Sequence, residues 1–91
     1  MAVYKREIVL YSRRRSLRCW RAQRLLRHSG YHFVVVDTTT DGKELAELSE
    51  LVHHKVVAPY VVVDHRPLGD YGVIKALLRS GGLERVVRGE L

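Results

Sequence analysis

The sequence is poor in residues that cross-link a fold, with one cysteine, Cys19, among 91 residues. A lone thiol excludes an intrachain disulfide framework and any cysteine-rich zinc site. Asparagine is absent, and glutamine and methionine occur once each, a depletion of labile side chains that fits adaptation to heat. No apolar run approaches the roughly 20 residues that span a bilayer. Met1 to Arg6 lead into an alternating segment without the apolar stretch and cleavage site of a signal peptide. The expected protein is therefore cytoplasmic, in a reducing compartment and without membrane contact. Repeats, linkers and low-complexity stretches are also missing, so residues 1–91 are expected to form a single domain.

Arginine is plentiful instead. The net charge is +6, and seven of the twelve arginines lie between Arg13 and Arg27. Such a cluster is either a solvated helix face or a surface for phosphates, carboxylates or an acidic protein. Trp20 and Tyr71 lie near arginines, an arrangement that can stack on bases, but helix packing accounts for Trp20 more simply, and nucleic acid is the less favoured partner. His53, His54 and His65 lack a companion set of cysteines or carboxylates, so no metal site is expected.

Periodicity gives an alternating order of elements. Glu7 to Tyr11 form an apolar strand. Ser16 suits the N-cap of a helix from Leu17 to about Ser29, and Gly30 suits the position past its end. Cys19, Ala22 and Leu26 recur on the buried side of that helix, while Arg18, Arg21 and Arg24 point elsewhere. Tyr31 to Val36 form a second strand, whose Phe33-Val34-Val35-Val36 run predicts burial on both faces. Asp41 and Glu44 have capping-box spacing at the start of a second helix, with Leu45, Leu48, Leu51 and Val52 as its apolar stripe. Tyr60 to Val63 form a third strand, and Arg66 to Leu68 a short fourth in which Pro67 demands an edge or an irregularity. A helix follows from Gly69-Asp70-Tyr71-Gly72 to about Arg79, and Leu83 to Arg88 form a last short one. The resulting fold class is α/β, a four-stranded mixed sheet flanked by helices in the order β-α-β-α-β-β-α plus a terminal helix.

With these residues, the chain resembles the glutaredoxin family of the thioredoxin fold over nearly its whole length. Tyr11-Ser12-Arg13-Arg14-Arg15 stands where that family has Tyr-Thr-Lys-Pro-Gly. Ser16-Leu17-Arg18-Cys19 stands for Cys-Pro-Tyr-Cys, with Arg21-Ala22 and Leu25-Leu26 following. Val57-Ala58-Pro59 looks like the family's Thr-Val-Pro, and Gly69-Asp70-Tyr71-Gly72-Val73 like its Gly-Gly-Tyr-Asp-Asp, before Ala76-Leu77-Leu78 and Ser80-Gly81.

The resemblance implies a glutathione-linked thiol–disulfide oxidoreductase, with glutathione as co-substrate, no tightly bound cofactor, and a glutathionylated or thiol protein as partner. Its leading nucleophile is missing here, because Ser16 occupies that position. Dithiol chemistry is therefore lost and any activity rests on Cys19. That thiol is either a small structural residue behind the motif or a reactive one at a helix N-terminus beside Arg15 and Arg18.

By the same resemblance, Arg13 takes the place of the family's lysine and would hold a glycyl carboxylate. Ala58, before a cis-proline at Pro59, would pair with the cysteinyl unit. Gly72 would offer its backbone to the γ-glutamyl end, Asp70 would receive the amino group, and Arg18 adds charge where an aromatic wall is usual. The departures at Ser16, Leu17-Arg18, Arg14-Arg15 and Gly72-Val73 occur together, as natural divergence would leave them. The alternative function is a catalytically silent module using its arginine face for glutathione, an acidic protein or nucleic acid.

Overall fold

A computed structural model describes residues 7–39 and 42–89. Strand β1 (Ile8–Ser12) leads to helix α1 (Leu17–His28), strand β2 (Phe33–Asp37) and helix α2 (Lys43–Val52). Strands β3 (Tyr60–Val63) and β4 (Arg66–Asp70) precede helices α3 (Tyr71–Ser80) and α4 (Gly82–Val87). The four strands form one mixed sheet in the order β2-β1-β3-β4, with β1 parallel to β2 and antiparallel to β3. The expected element order and mixed sheet are thus both present.

Alternation along the central strands sends side chains into two separate cores. On one face, Ile8 and Leu10 of β1 and Val61 and Val63 of β3 pack with Ala22 and Leu26 of α1, Ile74 of α3, and α4. On the other, Tyr60 and Val62 pack with Leu48 of α2 and with Val56. Among the described residues, no helix is long and apolar enough to cross a membrane.

Two expectations need correction. The valine run of β2 is not buried on both faces, since β2 is an edge strand with Val34 49% and Val35 43% exposed. The parallel crossover sets β2 outside β1, while β3 returns antiparallel on the inner side and takes the centre. An apolar run marks a strand without saying which neighbours it has. Leu51 is 62% exposed and lies outside the stripe, because the sheet contacts of α2 run along Leu45, Leu48 and Val52. Asp41, the expected cap of α2, lies outside the described residues.

The last hairpin follows from local chemistry. Asp64 and His65 both have positive φ, 49° and 64°, as a two-residue type I′ connection requires. Pro67 lies on the edge strand beside a bulge: Val61 pairs with Gly69 and Val62 with Pro67, leaving Leu68 as the extra residue. This irregularity carries β4 past Leu68, where the short strand was expected to end, as far as Asp70.

Gly69 then lets β4 pass close to α3. A Cβ built on it would lie 2.6 Å from the Cβ of Val73, at a φ of 157°. Gly69→Ala is expected to lower stability in chemical denaturation by about 1–3 kcal/mol, and Val73→Ala to recover only part of that loss, because it removes the two methyl groups that crowd position 69 but leaves the Val73 Cβ position occupied.

Tyr31 leaves α1 with its N–H donated to the Leu26 carbonyl at 3.1 Å, which is why β2 starts only at Phe33. Its hydroxyl donates to Glu84 Oε2 at 2.8 Å, and Glu84 Oε1 accepts from Arg88 Nε at 2.8 Å. Burial, and then the Glu84 hydrogen bond, push the phenol up to about 12. The folded state therefore holds the phenolic proton more tightly than the unfolded chain, whose tyrosines ionise near about 10. Stability from this group is complete below about pH 10 and is lost as pH rises towards about 12. Tyr31→Phe is expected to flatten that alkaline limb in unfolding curves measured across this window.

Candidate functional site

The β1–α1 loop is tied to the end of β2 before it reaches the helix. The Thr38 N–H and hydroxyl both donate to the Ser12 carbonyl, at 2.8 and 2.9 Å, and Gln23 Nε2 donates to Ser12 Oγ at 3.2 Å. The Arg14 N–H donates to Thr39 Oγ1 at 2.8 Å, and its Nε pairs with Asp37 Oδ2 at 2.8 Å. Thr39, through its hydroxyl and N–H, and then Arg14 hold the Asp37 carboxyl below the usual carboxylate range. Arg15 completes the turn at φ 58°, a left-handed conformation unfavourable for a residue with a side chain. It stands where the resembled pattern has glycine.

Ser16 starts α1. With extended backbone angles, its Oγ accepts the Cys19 N–H at 3.3 Å, while its carbonyl accepts the Trp20 N–H at 3.0 Å. The hydroxyl is thus engaged as a helix cap, and among the described residues no histidine or carboxylate bonds to it as a base. Cys19 is the third helical residue and only 1% exposed. Its Sγ accepts the Arg13 N–H at 3.3 Å, which joins loop and helix. The geometry favours the structural role for this thiol, since an attacking sulfur must reach its substrate.

A groove of ≈ 430 Å³ opens beside these residues. Arg18 and Arg21 of α1 form one wall and Val57, Ala58 and Pro59 another, with the Ala58–Pro59 peptide bond cis. Asp70, Tyr71 and Gly72 at the N-terminus of α3, with Lys75 one turn on, close it. Asp70 Oδ1 caps α3 by accepting the Val73 N–H at 3.3 Å. Three cationic side chains face one carboxylate, so the groove suits an anion of extended shape. Arg18, Ala58, Pro59, Asp70 and Gly72, which the sequence singled out, therefore meet in one place.

Arg13 does not join them. It lines a separate cleft with Ser12, Arg14 and Asp37, and its contribution near the thiol is its backbone N–H. Sequence reasoning missed Arg21 and Lys75 as groove residues. Arg21 lies one turn after Arg18. Lys75 follows the cap of α3 by just over a turn, with its Nζ 5.4 Å from the Tyr71 ring centroid. Trp20 is also corrected: it is 55% exposed rather than packed between helices, with the Arg24 guanidinium 5.3 Å from its ring centroid. Among the described residues, no group of three or more His, Cys, Asp or Glu side chains is placed to hold a metal ion.

The loop and cap make opposite energetic predictions. Ser16→Ala is expected to cost about 1 kcal/mol in denaturant unfolding, with Ser16→Asp close to the parent because a carboxylate also caps. Arg15→Gly is expected to raise stability by about 1 kcal/mol, since glycine removes the left-handed strain.

No protein-family model matches the sequence, and no curated protein matches it. Solved structures do. The solution structure of glutaredoxin from Brucella melitensis is similar at a TM-score of 0.80 with 24% identity, over 97% of this chain and 96% of that one. A crystal structure of wheat glutaredoxin is similar at a TM-score of 0.75 with 24% identity, over 93% and 82%. The buckwheat glutaredoxin–glutathione complex is similar at a TM-score of 0.77 with 19% identity, over 98% and 84%. At these identities the likeness is one of architecture: this chain has the thioredoxin-type α/β fold found in glutaredoxins.

Proposed function

We propose that the groove beside the cis-proline binds glutathione, free or linked to a protein thiol, and that the chain does so without dithiol exchange. The observation that carries this reading is the convergence of Arg18, Ala58–Pro59 and the N-terminus of α3 around a single groove. Glutathione is an extended tripeptide with two carboxylates and one ammonium group. Arg18 and Arg21 supply the cations for the glycyl carboxylate, the part expected of Arg13. The backbone of Ala58 pairs with the cysteinyl unit. The first-turn amides around Gly72 receive the γ-glutamyl carboxylate, as helix N-termini do for anions, and Asp70 receives the ammonium group. The glutathione complex of buckwheat glutaredoxin, which shares this fold, supports the choice of ligand.

Two features oppose turnover. The Ser16 hydroxyl is engaged as a cap, with no base bonded to it among the described residues, and the Cys19 sulfur is buried. A second reading, single-thiol exchange at Cys19, is favoured by its place at the start of α1, where the Arg13 N–H points at the sulfur.

Calorimetric titration with glutathione separates these readings when paired with glutathione-dependent reduction of a small mixed disulfide. Saturable binding is expected, weakened about 10–100-fold by Arg18→Glu, as loss of a charge-assisted contact implies. Reduction no faster than that of a Cys19→Ala variant is also expected. Reduction that disappears in Cys19→Ala would establish the one-thiol reading, and absence of saturable binding would remove the glutathione assignment.

A further inference from the structure

The outer face of α1 is unlike the solvated flank that its arginines alone suggest. Opposite the buried Cys19, Ala22 and Leu26, the helix presents Leu17, Trp20, Arg21, Arg24 and His28 at successive turns. Leu17 is 60% exposed, so two large apolar side chains stand in water one turn apart. The helix contains no acidic residue. Among the described residues, none of Arg18, Arg21 and Arg24 has a carboxylate partner.

This face is concave where it meets α3. A hollow of ≈ 440 Å³ is lined by Trp20, Arg21, Arg24, Leu25, His28 and Tyr71. Arg21 and Tyr71 also line the neighbouring groove, so the two depressions are adjacent and share these side chains.

We infer that this strip, from Leu17 to His28, docks an acidic segment of a partner protein, with carboxylates on Arg21 and Arg24 and an apolar side chain against Leu17 and Trp20. Charge complementarity selects the occupant. The surface offers forked guanidinium donors that match carboxylates bidentately, with no acid of its own helix to compete. Its apolar members, Leu17 and Trp20, lie one turn before Arg21 and Arg24, so an apolar anchor stands next to the charged donors. Arg24 already covers one aromatic surface that single-stranded nucleic acid would need for stacking. Trp20, Arg24 and His28 lie outside the glutathione groove, whereas Arg21 is common to both, so the test of the strip rests on Trp20 and Arg24.

Trp20 is the chain's one tryptophan, and its fluorescence reports on this strip directly. The test titrates the intact chain with a synthetic peptide of alternating glutamate and leucine, and separately with oligothymidylate. The peptide is expected to give a saturable change in Trp20 emission, weakened by raising salt from about 0.03 M to about 0.5 M. Arg24→Glu is expected to lower peptide affinity at least tenfold while leaving glutathione binding as in the parent. Arg79→Glu, with the same charge change at the exposed end of α3, is expected to alter peptide affinity less than twofold. Circular dichroism checks that both variants are folded, and Arg24→Ala provides a milder second variant. The inference is overturned by no saturable change in emission, by equal weakening in Arg24→Glu and Arg79→Glu, or by oligothymidylate binding as tightly as the peptide.

Discussion

The antiparallel pairing of β1 with β3 is the constraint on which the site depends. Its last register row sets Tyr11 opposite Tyr60, and Tyr60 is in turn opposite Asp70 of β4. Three strand ends are thereby brought level. The loop leaving β1 leads into α1, Pro59 immediately precedes Tyr60, and Asp70 opens α3. The groove is the space between these three continuations. The pairing holds because the side chains of β3 alternate into two cores, Val61 and Val63 towards α1, α3 and α4, Tyr60 and Val62 towards α2. A slip of one residue would exchange these sets and separate the groove walls.

At the start of α1, one local need accounts for two residues. A helix N-terminus leaves amides unpaired, and Ser16 satisfies that of Cys19. The same arrangement in a chain with a thiol at position 16 would place a nucleophile beside those amides. With a hydroxyl there, the helix keeps its cap and loses that chemistry. Cys19 is held from the other side by the Arg13 N–H, so the thiol acts as a link between loop and helix.

The arginines divide into kinds that composition does not distinguish. Arg14 is anchored to Asp37, Arg18 and Arg21 border the groove, and Arg24 lies over Trp20. Arg15 occupies a strained, left-handed backbone position. Exposed charge contributes little to holding the fold together, which rests on the two cores. The arginine surface therefore bears on partners more than on stability.

Much of this was legible in the residues. Apolar runs and caps determined the element order. Ser16 at the helix start and Pro67 at an irregular edge followed from local chemistry, which acts through neighbours in sequence. The gathering of Arg18, Ala58, Pro59, Asp70 and Gly72 was legible through the resemblance, which carried long-range information that periodicity lacks.

The remainder was decided by tertiary structure. Whether Val34 and Val35 are buried depends on which strand lies beside β2, and no property of those valines states it. Leu51 and Trp20 are apolar residues left outside because the surfaces they would meet end before reaching them. Arg13 is one residue from the chain's turn towards α1, and the direction of that turn sends its side chain to another cleft. By itself the sequence determined which segments become helices and strands and where those helices begin, since propensity and capping act locally. Tertiary packing decided which of their faces meet water, because burial is a relation between segments distant in the chain.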